Sequence, residues 1–484
     1  MELPKKGQIG YPIDRASFNT KVKEFATFAE TVFSGQNEAL KNELIRKVNR
    51  VCQKRKLPSL SNDSRWLAST KGAKKKRTKV QLPDEIWIKI LGFMKQKDVF
   101  RNFALTCKHF NKLSLDPSII KSLYLRNIDQ IDKDHVVKVL KRSRFLKKIE
   151  IRHCKSFLEL LSTALEASQK LKSIIIEDYT NDPKQHEQFE RILEKSRTTI
   201  EHLSLSGGGN GGLIITPATI EKLINLKKLH LHYDPELTLE DLEALAKNSK
   251  IESLHANISL YDDNDDPFND ADINSAFKTF FGATKKTLTD LKMIFDDLDD
   301  DFNMEWPKYL SMCQNLEKIE IVEYNSSNPN DIMTSISSLP KLRYLKLDDF
   351  ENIQNINSFI ENLNLDIMEE LAFCRMEISM NSFMYLANRK CPNLKNICFY
   401  GCYQLKLDEE FLKKMISNCH KLEVIHISET KYELSDEQLY RLQQTGVVIG
   451  IEYERRRQVD KYVRYNGLPN ARLLEFYACK CGFG

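Results

Sequence analysis

The sequence lacks an uninterrupted apolar run of the roughly 20 residues needed to cross a bilayer, and no apolar segment follows residues 1–6. We therefore expect a soluble, intracellular protein with no membrane partner. Cysteine is sparse, at 11 of 484 residues. An odd number of cysteines scattered over a long chain is unlike the dense pairing of small secreted domains, so we expect the thiols to be reduced.

Motifs for catalysis are also missing. The chain has neither a GxSxG nucleophile elbow nor a GxxxxGK[ST] phosphate loop. The glycine-rich stretch SGGGNGG from Ser206 has no Lys-Ser/Thr after it, and it follows a predicted strand, where flexible turns are ordinary. The CxC pair of Cys479 and Cys481 has no second pair to complete a metal site. The sequence therefore predicts neither an enzyme nor a metal or other cofactor.

The positive charge is concentrated at the start of the chain. Residues 1–79 contain 19 Lys and Arg against 7 Asp and Glu, while the whole chain has a net charge of +5. We interpret this segment as a basic, partly disordered arm. Its basic clusters are typical of a solvated linker, an import signal or a nucleic-acid contact. We favour nuclear import through Lys74, Lys75, Lys76 and Arg77, expect the protein in nucleus and cytoplasm, and do not expect a nucleic-acid partner.

Residues 80–124 predict a small all-α module. Ile86, Ile90, Leu91 and Met94 recur at helical spacing after Pro83, a residue suited to the first turn of a helix. Two further helices carry Val99, Phe103, Leu105, Phe110 and Leu113. Some 45 residues is near the lower limit for an independent core, so we expect another chain to cover the surplus apolar surface.

The motifs LPDEI, GFM, KDV, ALTCKHFNKLSLDP and SLYL in this module resemble the F-box. Thr106 and Phe110 replace the usual Val and Trp, and both keep the approximate size. The resemblance implies a Skp-type adaptor as partner, and through it the cullin of an SCF ubiquitin ligase. The implied adaptor-binding residues are Leu82, Pro83, Ile86, Ile90, Leu91, Val99, Leu105, Cys107 and Phe110. The alternative is a helical subdomain packed against its own chain.

Beyond the module an LxxLxL pattern recurs. Its copies begin at Leu146, Leu171, Ile200, Leu226, Ile251, Leu288, Leu316, Leu342, Met368, Leu394 and Leu422. Several are 26 residues apart, and amphipathic segments separate them. This period and consensus predict a leucine-rich repeat solenoid of the α/β class, with a curved parallel sheet inside and helices outside. We assign it residues 125–452, about 11–12 repeats, and a C-terminal tail to residues 453–484.

Five cysteines keep step with the repeat. Cys313, Cys391 and Cys419 each lie three residues before a strand's first apolar position, and Cys154 and Cys402 lie three after its last. Thiols in phase with a repeat are most simply small buried hydrophobes at its corners. The arrangement resembles the cysteine-containing class of leucine-rich repeats found in many F-box proteins.

One repeat is longer than the others by roughly eleven residues, which fall in an acidic stretch at residues 260–272. A second acidic run occupies residues 296–301 of the next repeat. We expect both to be loops on one edge of the solenoid, either solvated, in contact with a basic partner, or holding a hard cation. The spacing of an EF-hand calcium loop is not met.

The concave surface should be formed by residues that alternate with the buried Leu and Ile of each strand. In the predicted alignment one end of this surface groups Tyr344, Cys374, Cys398 and Tyr400, and we expect this exposed aromatic and apolar patch to bind a protein target. His230 and His255 fall side by side in another part of the surface and form a competing candidate. Metal chelation by this pair ranks below simple exposure, because no carboxylate or thiol in their row completes a tetrahedral set.

Together these features predict the substrate-recognition subunit of an SCF-type ubiquitin ligase. The F-box would hold the adaptor and the repeats an unidentified protein substrate, while other subunits carry out the chemistry. The alternative is a non-degradative nuclear scaffold or RNA-associated interaction protein. Cys107 as a ubiquitin-accepting thiol is disfavoured, because burial on an apolar face would suppress its reactivity.

Overall fold

A computed structural model describes the chain in several stretches, all within residues 82–484, the second of two units into which the chain divides. The described residues are 84–91, 108–127, 133–179, 183–207, 215–232, 236–261, 268–295, 305–322, 329–350, 356–402, 405–428, 431–432 and 434–452. The predicted basic arm at residues 1–79, the acidic run at 296–301 and the tail at 453–484 lie outside them.

Two short helices open the described part, α1 (Asp84–Leu91) and α2 (Lys108–Ser114). Helix α1 carries Asp84 and Glu85 in its first turn, where negative charge interacts favourably with the helix dipole. Helix α2 ends at a turn in which the amide of Asp116 donates to the carbonyl of Leu113 at 3.0 Å. Pro117 follows and prevents the helix from continuing.

A parallel sheet of 14 strands follows. Its strands are β1 (Ser122–Arg126), β2 (Lys148–Arg152), β3 (Ser173–Tyr179), β4 (His202–Gly207), β5 (Lys228–His232), β6 (Glu236–Leu237), β7 (Ser253–Ile258), β8 (Asp290–Phe295), β9 (Lys318–Val322), β10 (Tyr344–Asp348), β11 (Glu370–Cys374), β12 (Asn396–Tyr400), β14 (Val424–Ser428) and β16 (Val448–Glu452). Strands β13 (Lys406–Leu407) and β15 (Lys431–Tyr432) pair separately. Neighbours in the large sheet follow chain order, so each repeat stacks on the one before it.

Helices alternate with these strands. They are α3 (Lys133–Arg142), α4 (Phe157–Ala167), α5 (Pro183–Lys195), α6 (Pro217–Lys222), α7 (Leu239–Lys247), α8 (Asp270–Thr284), α9 (Pro307–Leu310), α10 (Pro329–Ser337), α11 (Ile356–Asn362), α12 (Met380–Asn388), α13 (Glu409–Asn418) and α14 (Asp436–Gln443). The predicted α/β leucine-rich repeat solenoid is therefore confirmed. Among the described residues, none of the helices is long and apolar enough to cross a membrane.

The strand register follows the repeat spacing. The first apolar residue within each strand pairs with its counterpart in the next repeat, as in Ile149 with Ile174 and Leu345 with Leu371. These side chains and those two residues further on are buried in one continuous core. Pairing of equivalent positions in a parallel ladder carries each of these side chains to the same face in every repeat.

Aromatic side chains fill the middle of this core. Phe277, Phe281, Phe295 and Trp306 are fully buried. The rings of Phe277 and Trp306 lie 5.1 Å apart between centroids, and those of Phe295 and Trp306 lie 5.5 Å apart. Helix α8 contributes two of the four, which makes the longest described helix the main source of apolar volume in this repeat.

The in-phase cysteines are buried, as predicted, and hold the corners of the repeats. The thiols of Cys313 and Cys402 contact the carbonyls of Phe281 and Phe373 in the preceding repeat, at 3.9 and 3.4 Å. Asparagine does the same at other corners, where the Asn248 amide donates to the Leu223 carbonyl at 2.9 Å. These side chains therefore satisfy backbone carbonyls that would otherwise be left unpaired between repeats.

The predicted acidic loop at residues 260–272 is partly helical, which corrects that expectation. Helix α8 begins at Asp270, and the side chain of Asn269 caps it by accepting from the amide of Asp272 at 3.0 Å. Asp270 and Asp272 lie in the first turn, where carboxylates are stabilised by the helix dipole. The carboxylates of Asp270 and Asp272, at the end of the insertion, thus stabilise the first turn of helix α8.

Candidate functional site

The described part of the module at residues 84–119 has a small core. Leu91, Leu113 and Ile119 are buried together. Trp87 and Phe110 pack against them edge to face, with ring centroids 4.9 Å apart, and both rings remain half-buried. Helices α1 and α2 also approach each other through polar side chains, since His109 Nε2 lies 3.2 Å from Asp84 Oδ1. The described part of the module therefore places two half-buried aromatic rings beside a small core.

Most residues predicted to bind an adaptor lie where the structure gives no side chain. Leu82, Pro83, Val99, Leu105 and Cys107 are outside the described residues, and Ile86 and Ile90 lie in α1 without described side chains. Phe110 is half-buried. Leu91 is fully buried in the module's own core, so the structure places it as a packing residue, not as a surface contact.

The second candidate surface is the face of the sheet opposite the core, which we call the open face. Its central row is Tyr124, Glu150, Ile175, Ser204, His230, His255, Lys292, Glu320, Lys346, Ala372, Cys398, His426 and Gly450. This register confirms the predicted placement of His230 beside His255. Strand β6 takes up the pairing after His255, so His232 and Asn257 are not direct partners.

A flanking row at the start of each strand was missed by the sequence analysis. It reads Ser173, His202, Lys228, Ser253, Asp290, Lys318 and Tyr344. Two of its members contact the histidines of the central row. The signal was present in the sequence, because these residues lie two positions before the central row and point to the same face.

Four histidines gather on strands β4, β5 and β7. The rings of His230 and His255 stack with centroids 3.9 Å apart and an angle of 7° between the planes. His202 lies edge-on to His230 at 5.1 Å, and His232 lies edge-on to His230 and His255 at 6.2 and 6.1 Å. One ring nitrogen from each of His230, His232 and His255 lies within 4.8 Å of the other two.

A hydroxyl and a carboxylate orient two of these rings. The hydroxyl of Ser253 donates to Asp290 Oδ2 at 3.2 Å, and His230 Nε2 lies 2.9 Å from the same hydroxyl oxygen. His255 Nε2 lies 3.0 Å from Asp290 Oδ1. Because Ser253 uses its proton on Asp290, it accepts from His230, so Asp290 sets the tautomer of the His230 ring through this hydroxyl.

Burial keeps three of the histidines uncharged. It lowers the pKa of His230 to about 2, and the neighbouring imidazoles of His255 and His202 lower it further. It also lowers the pKa of His202 and of His232 to about 4, with help from nearby lysines. Burial would raise the pKa of Asp290, but its contacts with His255, Lys318 and Ser253 bring it below its ordinary value. His202, His230 and His232 are therefore neutral at neutral pH and lie near the ionised carboxylate of Asp290.

The next part of the open face is a ladder of alternating charge. Lys292 and Lys346 lie 3.0 and 3.1 Å from Glu320, and Lys346 also contacts Asp348 at 3.2 Å. Burial opposes ionisation of Glu320, yet the two lysines hold its pKa below the usual range. The charged side chains in this stretch therefore neutralise one another.

The predicted aromatic and thiol patch is less exposed than expected. Cys374 is 0% exposed and Cys398 is 8% exposed, which corrects the expectation that both thiols lie on the surface. Cys398 Sγ contacts His426 Nδ1 at 3.2 Å, and Cys374 contacts Cys398. Neighbouring side chains thus cover the thiols. Tyr344 and Tyr400 remain half-buried and are the parts of the patch that a partner can reach.

The comparison with known families decides the nature of the first module. Residues 80–126 match the family model described as F-box-like. The chain carries an F-box-like domain ahead of leucine-rich repeats. The predicted resemblance is thereby confirmed for this domain, and the described helices α1 and α2 are part of it.

Comparison with curated proteins gives no match. One solved structure similar to the F-box and repeat chain is a chain of the Rad7 and Elc1 complex in yeast, with 14% identity and a TM-score of 0.47, over 91% of this chain and 98% of that one. The strands and helices described above establish the solenoid without this likeness.

Proposed function

We propose that this protein is the substrate-recognition subunit of an SCF-type ubiquitin ligase. The observation that carries the proposal is the F-box-like match at residues 80–126, which ends with strand β1 of the solenoid sheet. The F-box binds a Skp-type adaptor and, through it, a cullin. The repeats hold a protein target, and other subunits carry out ubiquitin transfer.

The composition of the F-box supports a role in docking. Its described core consists of Leu91, Leu113 and Ile119, while Trp87 and Phe110 stay half-buried at its edge. Partly exposed aromatic rings are among the side chains that most often anchor an interface. An adaptor chain would cover them.

For the target we favour the end of the open face that carries Tyr344 and Tyr400. The charge ladder between Lys292 and Asp348 is internally neutralised, so it offers a partner little net charge. The two tyrosines offer apolar rings with a polar tip, and truncating such an anchor commonly costs about 2 kcal/mol or more. They are therefore the stronger anchors for a protein surface.

Two of the buried thiols, those of Cys313 and Cys402, are suited to packing. Burial raises the pKa of Cys313 and of Cys402 to about 12. A thiol with so high a pKa is almost wholly protonated at neutral pH and is a poor nucleophile. These cysteines are suited to packing at repeat corners and not to accepting ubiquitin.

The basic arm favours a second candidate function. With 19 Lys and Arg against 7 Asp and Glu in residues 1–79, the arm suits a nuclear scaffold that uses the adaptor without promoting degradation, or one that associates with RNA. We propose that the protein occurs in nucleus and cytoplasm. A salt titration against RNA separates the two roles of the arm, since affinity based on phosphate contacts falls steeply with ionic strength.

Affinity purification of the full chain tests the degradative function. Cells are treated with inhibitors of the proteasome and of cullin neddylation, and the bound proteins are quantified against untreated cells. A degradation target accumulates on the bait when the inhibitors are present. The Leu82→Ala/Pro83→Ala double variant is the matched control, because it should retain the target without any response to inhibitors. Partners that are equally abundant in all four samples would indicate a scaffold.

A further inference from the structure

We propose that His230, His232 and His255 bind a zinc ion on the open face of the sheet. The three side chains come from two adjacent strands, β5 and β7, and each presents one ring nitrogen within 4.8 Å of the other two. Imidazole nitrogen is among the commonest ligands of Zn²⁺, and three protein ligands with one open position are typical of sites that bind a further group. This inference does not depend on the adaptor role.

The tautomers fit metal binding. Ser253 and Asp290 occupy the Nε2 side of His230 and His255, at 2.9 and 3.0 Å. The contact with Ser253 leaves the Nδ1 lone pair of His230 for an ion, and the contact with Asp290 leaves Nδ1 as the more open nitrogen of His255. A metal-bound histidine usually donates its other N–H to a carboxylate, carbonyl or hydroxyl that fixes its orientation. Asp290 is placed to orient both histidines in this way.

His232 can supply the third ligand without losing a hydrogen bond within the described part of the chain. Among the described residues its ring contacts those of His230 and His255 and makes no hydrogen bond. It is half-buried, as is His230, whereas His255 is 9% exposed. An ion held by the three rings would therefore lie at the surface of the sheet, with its remaining position facing away from the core.

Binding requires one small movement. Ligands at zinc bond lengths of 2.0–2.1 Å lie about 3.3 Å apart in a tetrahedral site, closer than the 4.8 Å limit found here. The stacked rings of His230 and His255 have parallel planes, so their lone pairs cannot converge on one ion. We infer that the His230 ring turns about its Cβ–Cγ bond on binding, which breaks the stack and its contact with Ser253, while His255 keeps its contact with Asp290.

The surrounding charges are mixed. Lys318 Nζ lies 3.8 Å from Asp290 Oδ1, and Lys292 lies near the cluster but is paired with Glu320 at 3.0 Å. Lys228 is exposed on the flanking row. These cations oppose a bound metal, while the carboxylates of Asp290 and Glu320 offset them. Because these charges offset one another, the affinity for an ion depends mainly on the three imidazole ligands.

Zinc titration of the chelator-treated full chain tests the site. Isothermal titration calorimetry should show one ion bound with a Kd of about 1 μM or below. His232→Gln and His255→Gln should each lose that ion or weaken it at least about hundredfold. His420→Gln removes an exposed histidine elsewhere and should bind as the unmodified chain does. Zinc bound by thiols elsewhere would remain in all variants. The zinc bound at the histidine site is therefore the difference in bound zinc between the unmodified chain and the His232→Gln and His255→Gln variants.

X-ray absorption at the zinc edge identifies the ligands. The unmodified chain should show three imidazole ligands, and His232→Gln should lose that signature. Asp290→Asn should keep three imidazoles while weakening binding about 10- to 100-fold, because it acts through orientation. Circular dichroism before metal addition shows whether each variant is folded. Absence of zinc binding by the folded chain, or binding unchanged in folded His232→Gln and His255→Gln, would overturn the proposal.

Discussion

The imidazole rings of His230 and His255 stack face to face, with their centroids 3.9 Å apart. Two protonated rings could not lie in this way, because like charges at such a distance repel strongly in a partly buried site. At least one of the two imidazoles is therefore neutral, and the pair lies beside the ladder of alternating charge on the same face. The stacked histidines therefore differ in chemistry from the end of the open face that carries Tyr344 and Tyr400.

The first prediction concerns the aromatic core. Phe277→Ala should lower the free energy of unfolding by about 3–5 kcal/mol, because it leaves a cavity beside Phe281, Phe295 and Trp306. Denaturant unfolding followed by circular dichroism measures the change. Ile224→Ala, which truncates a side chain that is 52% exposed, should change it by less than about 0.5 kcal/mol. Equal effects of the two changes would contradict the core described here.

The second prediction concerns Asp241, the third residue of helix α7. Burial raises its pKa to about 6, against an ordinary value of 3.8, although hydrogen bonds from Thr238 partly oppose the rise. The folded chain therefore holds this proton more tightly than the unfolded chain. The corresponding stabilisation is fully present below pH 3.8 and is lost as the pH rises through about 6.

Asp241→Asn should remove this loss. The variant should be more stable than the unmodified chain by about 1–3 kcal/mol at pH 7.5, and the difference should vanish near pH 4. Denaturant unfolding at both pH values measures it. Glu243→Gln removes an exposed charge from the same helix and is the control. A difference that does not change with pH would show that Asp241 does not titrate as described.

The sequence predicted the strand register and the buried cysteines, but it did not predict where helix α8 begins. The recurring LxxLxL pattern and the alternation of side chains along a strand fix the register. The contact of His230 with His255, which are 25 residues apart, and the burial of the in-phase cysteines therefore followed from the sequence pattern. The position of helix α8 did not, because the capping by Asn269 turned part of an acidic stretch into a helix start. Composition alone does not distinguish these outcomes.

Side-chain conformation limited the prediction of the site. The grouping of His232 with His230 and His255 depends on rotamers and on the break in pairing at strand β6, neither of which the repeat pattern encodes. Cys374 was assigned to the correct row, yet contact with Cys398 covers it. Row membership follows from periodicity, whereas exposure within a row depends on neighbouring side chains.

The third prediction concerns target binding. Once a target is known, Tyr400→Ala should weaken binding at least about tenfold, because it removes an aromatic anchor. Tyr124→Ala makes the same change near the opposite end of the sheet and should cost little, as should His230→Ala. Surface plasmon resonance with immobilised target compares the three. A larger effect of His230→Ala would move the target to the histidine region.

The fourth prediction concerns the basic cluster of the arm. Replacing Lys74, Lys75, Lys76 and Arg77 by Ala should shift a fluorescent fusion toward the cytoplasm, because import receptors recognise such clusters by charge. Microscopy quantifies the nuclear fraction. Lys285→Ala/Lys286→Ala, which removes exposed charge from the repeats, should leave it unchanged. If the fourfold variant distributes as the unmodified protein does, the cluster is a solvated linker.

Direct measurement of adaptor affinity is the sharpest test of the F-box as a docking module. Purified full chain is titrated with a Skp-type adaptor, in parallel with Leu82→Ala/Pro83→Ala and with the control Met312→Ala in the repeats. The double variant should lose at least about 100-fold in affinity while its unfolding transition is unchanged, because F-box and repeats bury separate cores. The control should bind as the unmodified chain does. Unchanged adaptor affinity of the folded double variant would contradict the account.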